Sequence, residues 1–457
     1  MSSTPGARRS IPVERQLPVA VRLAIALSAL TLISTLFLLL PGVANRRLGF
    51  TEAMFTAVSA LTVTGLSTLT PASDLTTAGK VLLITLVQIG GFGMMSFVVI
   101  IFRLIGRHIS VLDRITLRSA LGGVETRGVL RLVARVLLGV VLFEAAGAAL
   151  LFFHWRPMFS SDGEALGYAV FHAISAFCNA GFELFTGSTR FADGLPSDGL
   201  SMAILSALII IGGLGVPVIA NLMAYPRERR LSLHTRMTLA IVFFLVLLGG
   251  MGIFTAEMLS GSGGGGTQAG WTRALPVAFF HSVMARSAGF SVEGGFASLS
   301  PASQFLTLLL MFIGAAPASM GGGITTGTAA VLAIAMVSYV RNRFEPTVAG
   351  RAIPAELVRR AMAVLIIAIL VVAVATWLLL VSHPQTGLLA ALFEVVSAFS
   401  TCGLSLAFTN RLNGFGMAII MLVMFWGRLG ALTVVVALTR RTTPPLVRFP
   451  EENILIG

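Results

Sequence analysis

Long uninterrupted apolar runs constrain this chain more than any other feature. "VAVRLAIALSALTLISTLFLLL" opens at Val19. "VLLITLVQIGGFGMMSFVVIIF", "VLRLVARVLLGVVLFEAAGAALLFF" and "MAILSALIIIGGLGVPVIANLM" follow, and four more lie in the second half. A helix needs about 20 apolar residues to cross the hydrocarbon core, so eight runs predict eight crossings. Only 11% of the residues are charged, against about 25% in a soluble domain. The expected fold is an all-α polytopic membrane protein. The first run is too long for the apolar region of a cleaved signal and lacks a good cleavage site.

The net charge of +13 would suggest nucleic acid if its placement were ignored. The arginines cluster in short segments between runs: Arg8, Arg9, Arg15 and Arg22; Arg103 to Arg127; Arg227 to Arg236; Arg341 to Arg360; and Arg440, Arg441 and Arg448. The clusters fall on every second side of the spans. The positive-inside rule then places them, and both termini, in the cytoplasm. Topology and lipid contact account for the charge, and no nucleic-acid partner is expected. The two cysteines, Cys178 and Cys402, imply no disulfide framework, and the six histidines form no ligand-spaced cluster.

Each outside connection holds a second apolar segment, too short to cross, that ends in glycine. The four read "AMFTAVSALTVTGLST", "AVFHAISAFCNAGFEL", "VAFFHSVMARSAGFSV" and "ALFEVVSAFSTCGLSL". Their glycines, Gly65, Gly181, Gly289 and Gly403, are 116, 108 and 114 residues apart. Ten positions earlier stand Phe55, Phe171, Phe279 and Phe393; six earlier, Ser59, Ser175, Val283 and Ser397; one later, Leu66, Phe182, Phe290 and Leu404. Such self-similarity predicts four repeats, each an outer helix, a re-entrant half-helix, a glycine stretch and an inner helix. Their bounds are 19–110, 111–230, 231–345 and 346–441, with tails at 1–18 and 442–457.

Irregular backbone at membrane depth is tolerated only where protein buries it or water reaches it. Four re-entrant segments around one axis satisfy that rule together. The half-helices then aim their negative C-terminal ends inward, which favours a cation. Glycine permits torsions that a Cβ forbids, so carbonyls can face the axis and replace an ion's hydration shell. The candidate filter is Thr62, Val63, Thr64 and Gly65; Cys178, Asn179, Ala180 and Gly181; Arg286, Ser287, Ala288 and Gly289; and Ser400, Thr401, Cys402 and Gly403. No acidic ring recurs there, which favours a monovalent over a divalent cation. Arg286 should turn its side chain away from the axis and brace the loop, leaving only its carbonyl as a ligand.

These motifs resemble the Trk/Ktr/HKT superfamily of cation transporters, and bacterial KtrB-type potassium uptake subunits in particular. "TVTGLST", "FHAISAFCNAGFEL", "ARSAGFS" and "FEVVSAFSTCGLS" carry the resemblance across all four repeats. It implies four membrane–pore–membrane units around a potassium pore. A glycine in all four quarters goes with potassium in this family, whereas a serine in the first quarter goes with sodium in some plant members. It also implies a homodimer in the bacterial plasma membrane, with a separate cytosolic nucleotide-binding ring subunit docked on the basic inside loops. Potassium is the expected cargo, and no organic cofactor is expected in the chain.

The third inner segment departs from the others. Pro301 to Val340 is 40 residues, twice one crossing, with "GAAPASMGGGITTGT" at 314–328 in its middle. Pro317 removes a backbone donor, and Gly321, Gly322 and Gly323 weaken a helix. Two half-spans joined by an intramembrane loop beneath the filter are expected; the alternative is a glycine-rich kink for packing. The segment resembles the family's gating loop, with Thr325 where lysine is common and Met320 where a small residue is common. The candidate gate is Gly314, Pro317, Gly321, Gly322, Gly323, Thr325 and Arg428. A charge such as Arg428 at the centre of an apolar run costs about 2.5–3.5 kcal/mol on insertion scales. It resembles the family's pore-facing arginine below the filter; the alternative is an arginine paired for fold stability alone. "IGGFG" (89–93), "IGGLG" (211–215) and "FWGRLG" (425–430) read first as packing glycines. Glu52 and Glu394 are expected to brace arginines, and Glu144 lacks a partner that the sequence can name.

The expected function is potassium uptake through a gated, carbonyl-lined path driven by the membrane potential. A cation-coupled secondary transporter, sodium–potassium or proton–potassium symport, is the alternative, although such carriers usually show two inverted halves. An enzyme would need an acid–base constellation at the membrane face, and none is found.

Overall fold

The structure is a computed structural model. It describes residues 19–92, 129–188, 191, 194–261, 268–290, 292, 295–317, 319–343 and 345–429. The predicted tails, the basic clusters at 103–127 and 440–448 and the glycine-rich stretch at 262–266 lie outside those residues.

One order of helices recurs four times. An outer helix, a short helix and an inner helix follow one another as Val19–Leu38, Phe50–Thr62 and Thr77–Gly91, then as Val129–Trp155, Asp162–Phe177 and Gly199–Gly213. The third set is Leu233–Ser260, Gln268–Met284 and Pro301–Phe312, and the fourth is Ala355–Ser382, Leu388–Phe399 and Gly414–Leu429. Local chemistry sets the boundaries. Ser161, Asp198 and Ser300 cap helices by accepting from the backbone N–H groups of Gly163, Ser201 and Ser303. Glu52 reaches back to the Gly49 N–H at 3.1 Å, closing the start of the first short helix.

Three helices are long and apolar enough to cross a membrane among the described residues, or four if one bent pair counts as a span. Among the described residues, the second and third inner runs are not single straight helices. The first and fourth inner runs continue outside the described residues. The second inner run breaks: Gly199–Gly213 and the following helix, Val216–Glu228, meet at 102°. Gly215 at φ +81 and Pro217 in the next turn supply the break. The third inner run is split into Pro301–Phe312 and Thr326–Val340, the two half-spans expected from its length. Departure from a straight inner helix is therefore shared by two quarters.

The helices close on themselves. Each inner helix packs against the short helix of the next quarter: first on second, second on third, third on fourth, and fourth back on first. Phe55, Phe177, Phe280, Phe393 and Phe399 of the short helices are among the most deeply buried side chains. Leu36, Phe243, Ile366 and Trp377 of the outer helices are largely exposed. Large apolar groups turned outward and polar-ended segments turned inward are the arrangement a lipid solvent selects.

Trp155, fully buried at the end of the second outer helix, donates its indole N–H to Ser201 Oγ at 2.7 Å and packs edge-on against Phe185 and His172. Trp155→Ala should destabilise the detergent-solubilised protein by about 3–5 kcal/mol, read as an earlier loss of the monodisperse gel-filtration peak on heating. Trp155→Phe should cost less.

Candidate ion-filter site

Each short helix ends with the same two backbone features. Two residues before the motif glycine, a non-glycine residue takes a left-handed conformation: Val63 (φ 56), Asn179 (58), Ser287 (77) and Thr401 (49). The glycines follow at φ 90, 72, 69 and 85 for Gly65, Gly181, Gly289 and Gly403. Positive φ is unusual for any side-chain residue and a genuine outlier for β-branched Val and Thr. Each such residue costs on the order of 1–3 kcal/mol and persists where the surroundings over-determine it, as at ligand clamps.

The four glycines meet. A Cβ on Gly65 would overlap the carbonyl oxygen of Ala180. One on Gly181 would lie 2.7 Å from Ala288 O, and one on Gly289 2.7 Å from Cys402 O. One on Gly403 would overlap Thr64 O, which returns to the first quarter. Every quarter thus presses its glycine against the carbonyl that precedes the next quarter's glycine, and the sequence of contacts closes after four steps. No side chain fits between them. Burial repeats in register as well: the three candidate residues before each glycine are buried, while the glycine itself is partly exposed in all four quarters. The ring's glycine faces are the points that solvent reaches.

Neighbouring groups hold the ring. Ser59 O accepts from Thr64 N and Ser59 Oγ from Gly65 N at 2.8 and 3.0 Å, and Ser175 Oγ donates to Phe182 O at 2.7 Å. The Thr62 hydroxyl lies 2.7 Å from both Val58 O and Thr64 Oγ1, so these threonines are engaged locally. Cys402 Sγ donates to Met284 O of the third quarter at 3.4 Å. With its amide nitrogen facing carbonyls, Asn179 donates to Ile209 O at 3.1 Å on the second inner helix. Arg286 is buried and turned outward, Nη1 lying 3.5 Å from Val242 O of the third outer helix.

The segment 313–325 is an irregular loop stitched to three quarters. Gly314 N donates to Ile324 O at 2.9 Å, Ala316 N to Gly213 O at 3.0 Å and Gly322 N to Thr401 Oγ1 at 2.8 Å. Pro317 lies close under Gly327, Gly323 has φ +79 beside Ser400, and Gly321 lies over Ser287. Thr325 caps the second half-span by accepting from Thr328 N. Arg428 donates to Met320 O in the loop and to Gly90 O on the first inner helix. The guanidinium joins the fourth quarter both to the loop and, separately, to the first quarter.

The ionisable residues set aside in the sequence also find partners. Glu52 pairs with Arg46 at 3.0 Å. Glu394 is braced by hydroxyls rather than by an arginine, accepting from Ser405 Oγ at 2.7 Å and Thr409 Oγ1 at 2.5 Å. Glu144 accepts from Gln88 Nε2 at 2.8 and 3.1 Å, with Cys178 Sγ 3.8 Å away. Gln88 was legible as the one amide in "VLLITLVQIGG", but nothing in the sequence joined it to a carboxyl 56 residues on.

A family model described as TrkH, cation transport protein, matches residues 19–256 and 268–443. The chain is 34% identical to the potassium/sodium uptake protein NtpJ of Enterococcus hirae, over 89% of this chain and 90% of that protein. It is 32% identical to the Ktr system potassium uptake protein B of Bacillus subtilis (95% and 96% covered) and 33% identical to that of Vibrio alginolyticus (93% and 92%). Its fold is like the crystal structure of the potassium transporter TrkH from Vibrio parahaemolyticus, with a TM-score of 0.72 at 20% identity, covering 94% of this chain and 87% of that one. The chain is a member of the TrkH cation transport protein family, a multi-pass membrane transporter and not an enzyme.

Proposed function

We propose that this chain takes up potassium across the bacterial plasma membrane through the ring of glycines and carbonyls. The closed four-step contact between each glycine and the next quarter's carbonyl carries the reading. A ring of main-chain oxygens, with only glycine faces reached by solvent, suits a weakly hydrated monovalent cation that sheds its water. The relatives named as potassium uptake proteins in Bacillus and Vibrio support potassium as cargo, as does glycine in all four quarters. Membrane potential suffices as a driving force: one charge across 100 mV gains about 2.3 kcal/mol, roughly a 50-fold accumulation.

The loop 313–325 and Arg428 form the gate. Arg428 sets a positive charge beneath the ring while tying the loop to the first inner helix, so it acts both as barrier and as clasp. The chain works as a homodimer, termini inside, with a cytosolic nucleotide-binding ring subunit on its basic inner loops. The engaged partners of Glu144 and Glu394 leave neither carboxyl on the ion path.

An uptake-deficient host carrying this chain should grow at limiting potassium. Gly65→Ser should reduce preference for potassium over sodium about tenfold, roughly 1.4 kcal/mol, seen as growth that sodium inhibits. Unchanged preference would count against the ring as the filter. In liposomes, Arg428→Ala should raise rubidium influx several-fold; reduced influx would remove the barrier role. Influx of rubidium that requires fixed stoichiometric entry of sodium or protons would favour the symport alternative.

A further inference from the structure

Two residues before each ring glycine stands a left-handed, fully buried residue: Val63, Asn179, Ser287 and Thr401. The four quarters differ at this position. Val63 is apolar, and the Asn179 amide is committed to Ile209 O on the second inner helix. Only the third and fourth quarters place a hydroxyl there, and both meet the centre of the loop. Ser287 Oγ donates to Ser400 O at 3.0 Å, and a Cβ on Gly321 would come within 2.9 Å of it. Thr401 Oγ1 accepts the Gly322 N–H at 2.8 Å. A Cβ on Gly322 would lie 2.7 Å from Thr401 Cγ2 and 3.0 Å from Gly427 O. The middle glycine of "GGG" is thus clasped between the filter's fourth quarter and the residue preceding Arg428.

We propose that Thr401 is the latch between filter and gate: its backbone forms one arc of the ring, and its hydroxyl holds the intramembrane loop shut by accepting from Gly322. This rests on the filter and loop assignments above. The Gly322 N–H is buried and donates to this hydroxyl, whereas the Arg428 clasp grips the loop at Met320, two residues away. The glycines at the loop's centre are therefore held on each side of Gly321, while Ala316 ties the loop to Gly213 O further along. A loop that leaves its place surrenders the bond to Thr401, so occupancy of the fourth arc and loop position are linked through one side chain. A buried donor deprived of its acceptor loses more than a solvated one, so the closed state should weaken when the hydroxyl is removed.

The test uses the full chain in liposomes, with rubidium influx and maleimide labelling of a reporter, Ser319→Cys, in the loop. Thr401→Val should raise influx about tenfold and speed labelling to a similar degree. Thr401→Ser, which keeps the accepting hydroxyl, should restore the slow labelling of the loop. Thr401→Ala carries the same expectation as Thr401→Val if the valine variant folds poorly. A merely structural threonine would lower influx in the valine and alanine variants without hastening labelling. That result, or raised influx with unchanged labelling in Thr401→Val, overturns the latch. Labelling reads loop position whatever ion permeates: accelerated labelling in Thr401→Val alongside no rubidium entry in any variant would overturn the potassium path and leave the latch standing.

Discussion

Everything in this fold is arranged around one close approach, backbone against backbone, where a glycine of each quarter touches the carbonyl preceding the glycine of the next. That contact leaves no room for a Cβ. It demands a short helix aimed at the centre, a left-handed residue to turn the chain and an inner helix to carry it out. The packing of each inner helix on the following short helix supports the ring from outside. Smaller glycine contacts repeat the device one layer down: Cβ atoms on Gly90, Gly212 and Gly427 would overlap the carbonyls of Leu61, Phe177 and Phe399. These inner-helix glycines lie against the ends of the short helices, so they set the height of the ring as well as the helix packing.

The strain of four left-handed side-chain residues is tolerable because each is held in a dense, dry shell. Val63, Asn179, Ser287 and Thr401 are all fully buried. Preorganisation of this kind suits the filter proposed above, in which backbone oxygens replace an ion's hydration shell. Hydroxyls and a thiol, from Ser59, Ser175 and Cys402, supply the bracing where charged groups would be costly.

Much of this was legible because fourfold recurrence is a strong signal. The spacing of Gly65, Gly181, Gly289 and Gly403 announced four equivalent segments, and the doubled length of 301–340 announced a break that appears as two half-spans. Pairwise contacts were not legible. Gln88 with Glu144, Thr401 with Gly322 and Arg428 with Gly90 join residues 56, 79 and 338 positions apart, and no local pattern encodes such pairings. The bend in the second inner helix was masked by the hydropathy of "IGGLGVP", since an apolar run does not say whether it is straight. The expected arginine beside Glu394 gave way to two hydroxyls because burial allows a carboxyl to be satisfied by short neutral donors nearby.

Covalent linkage of the four units has a consequence for how such a ring can be regulated. A channel assembled from identical subunits must repeat any barrier fourfold and open like an iris. Here the irregular segment interrupts a single unit, and its clasping arginine comes from another. In the gate proposed above, closure is accordingly eccentric: one segment beneath one side of the ring carries it. Evolution can adjust that segment one residue at a time, without multiplying each change by four.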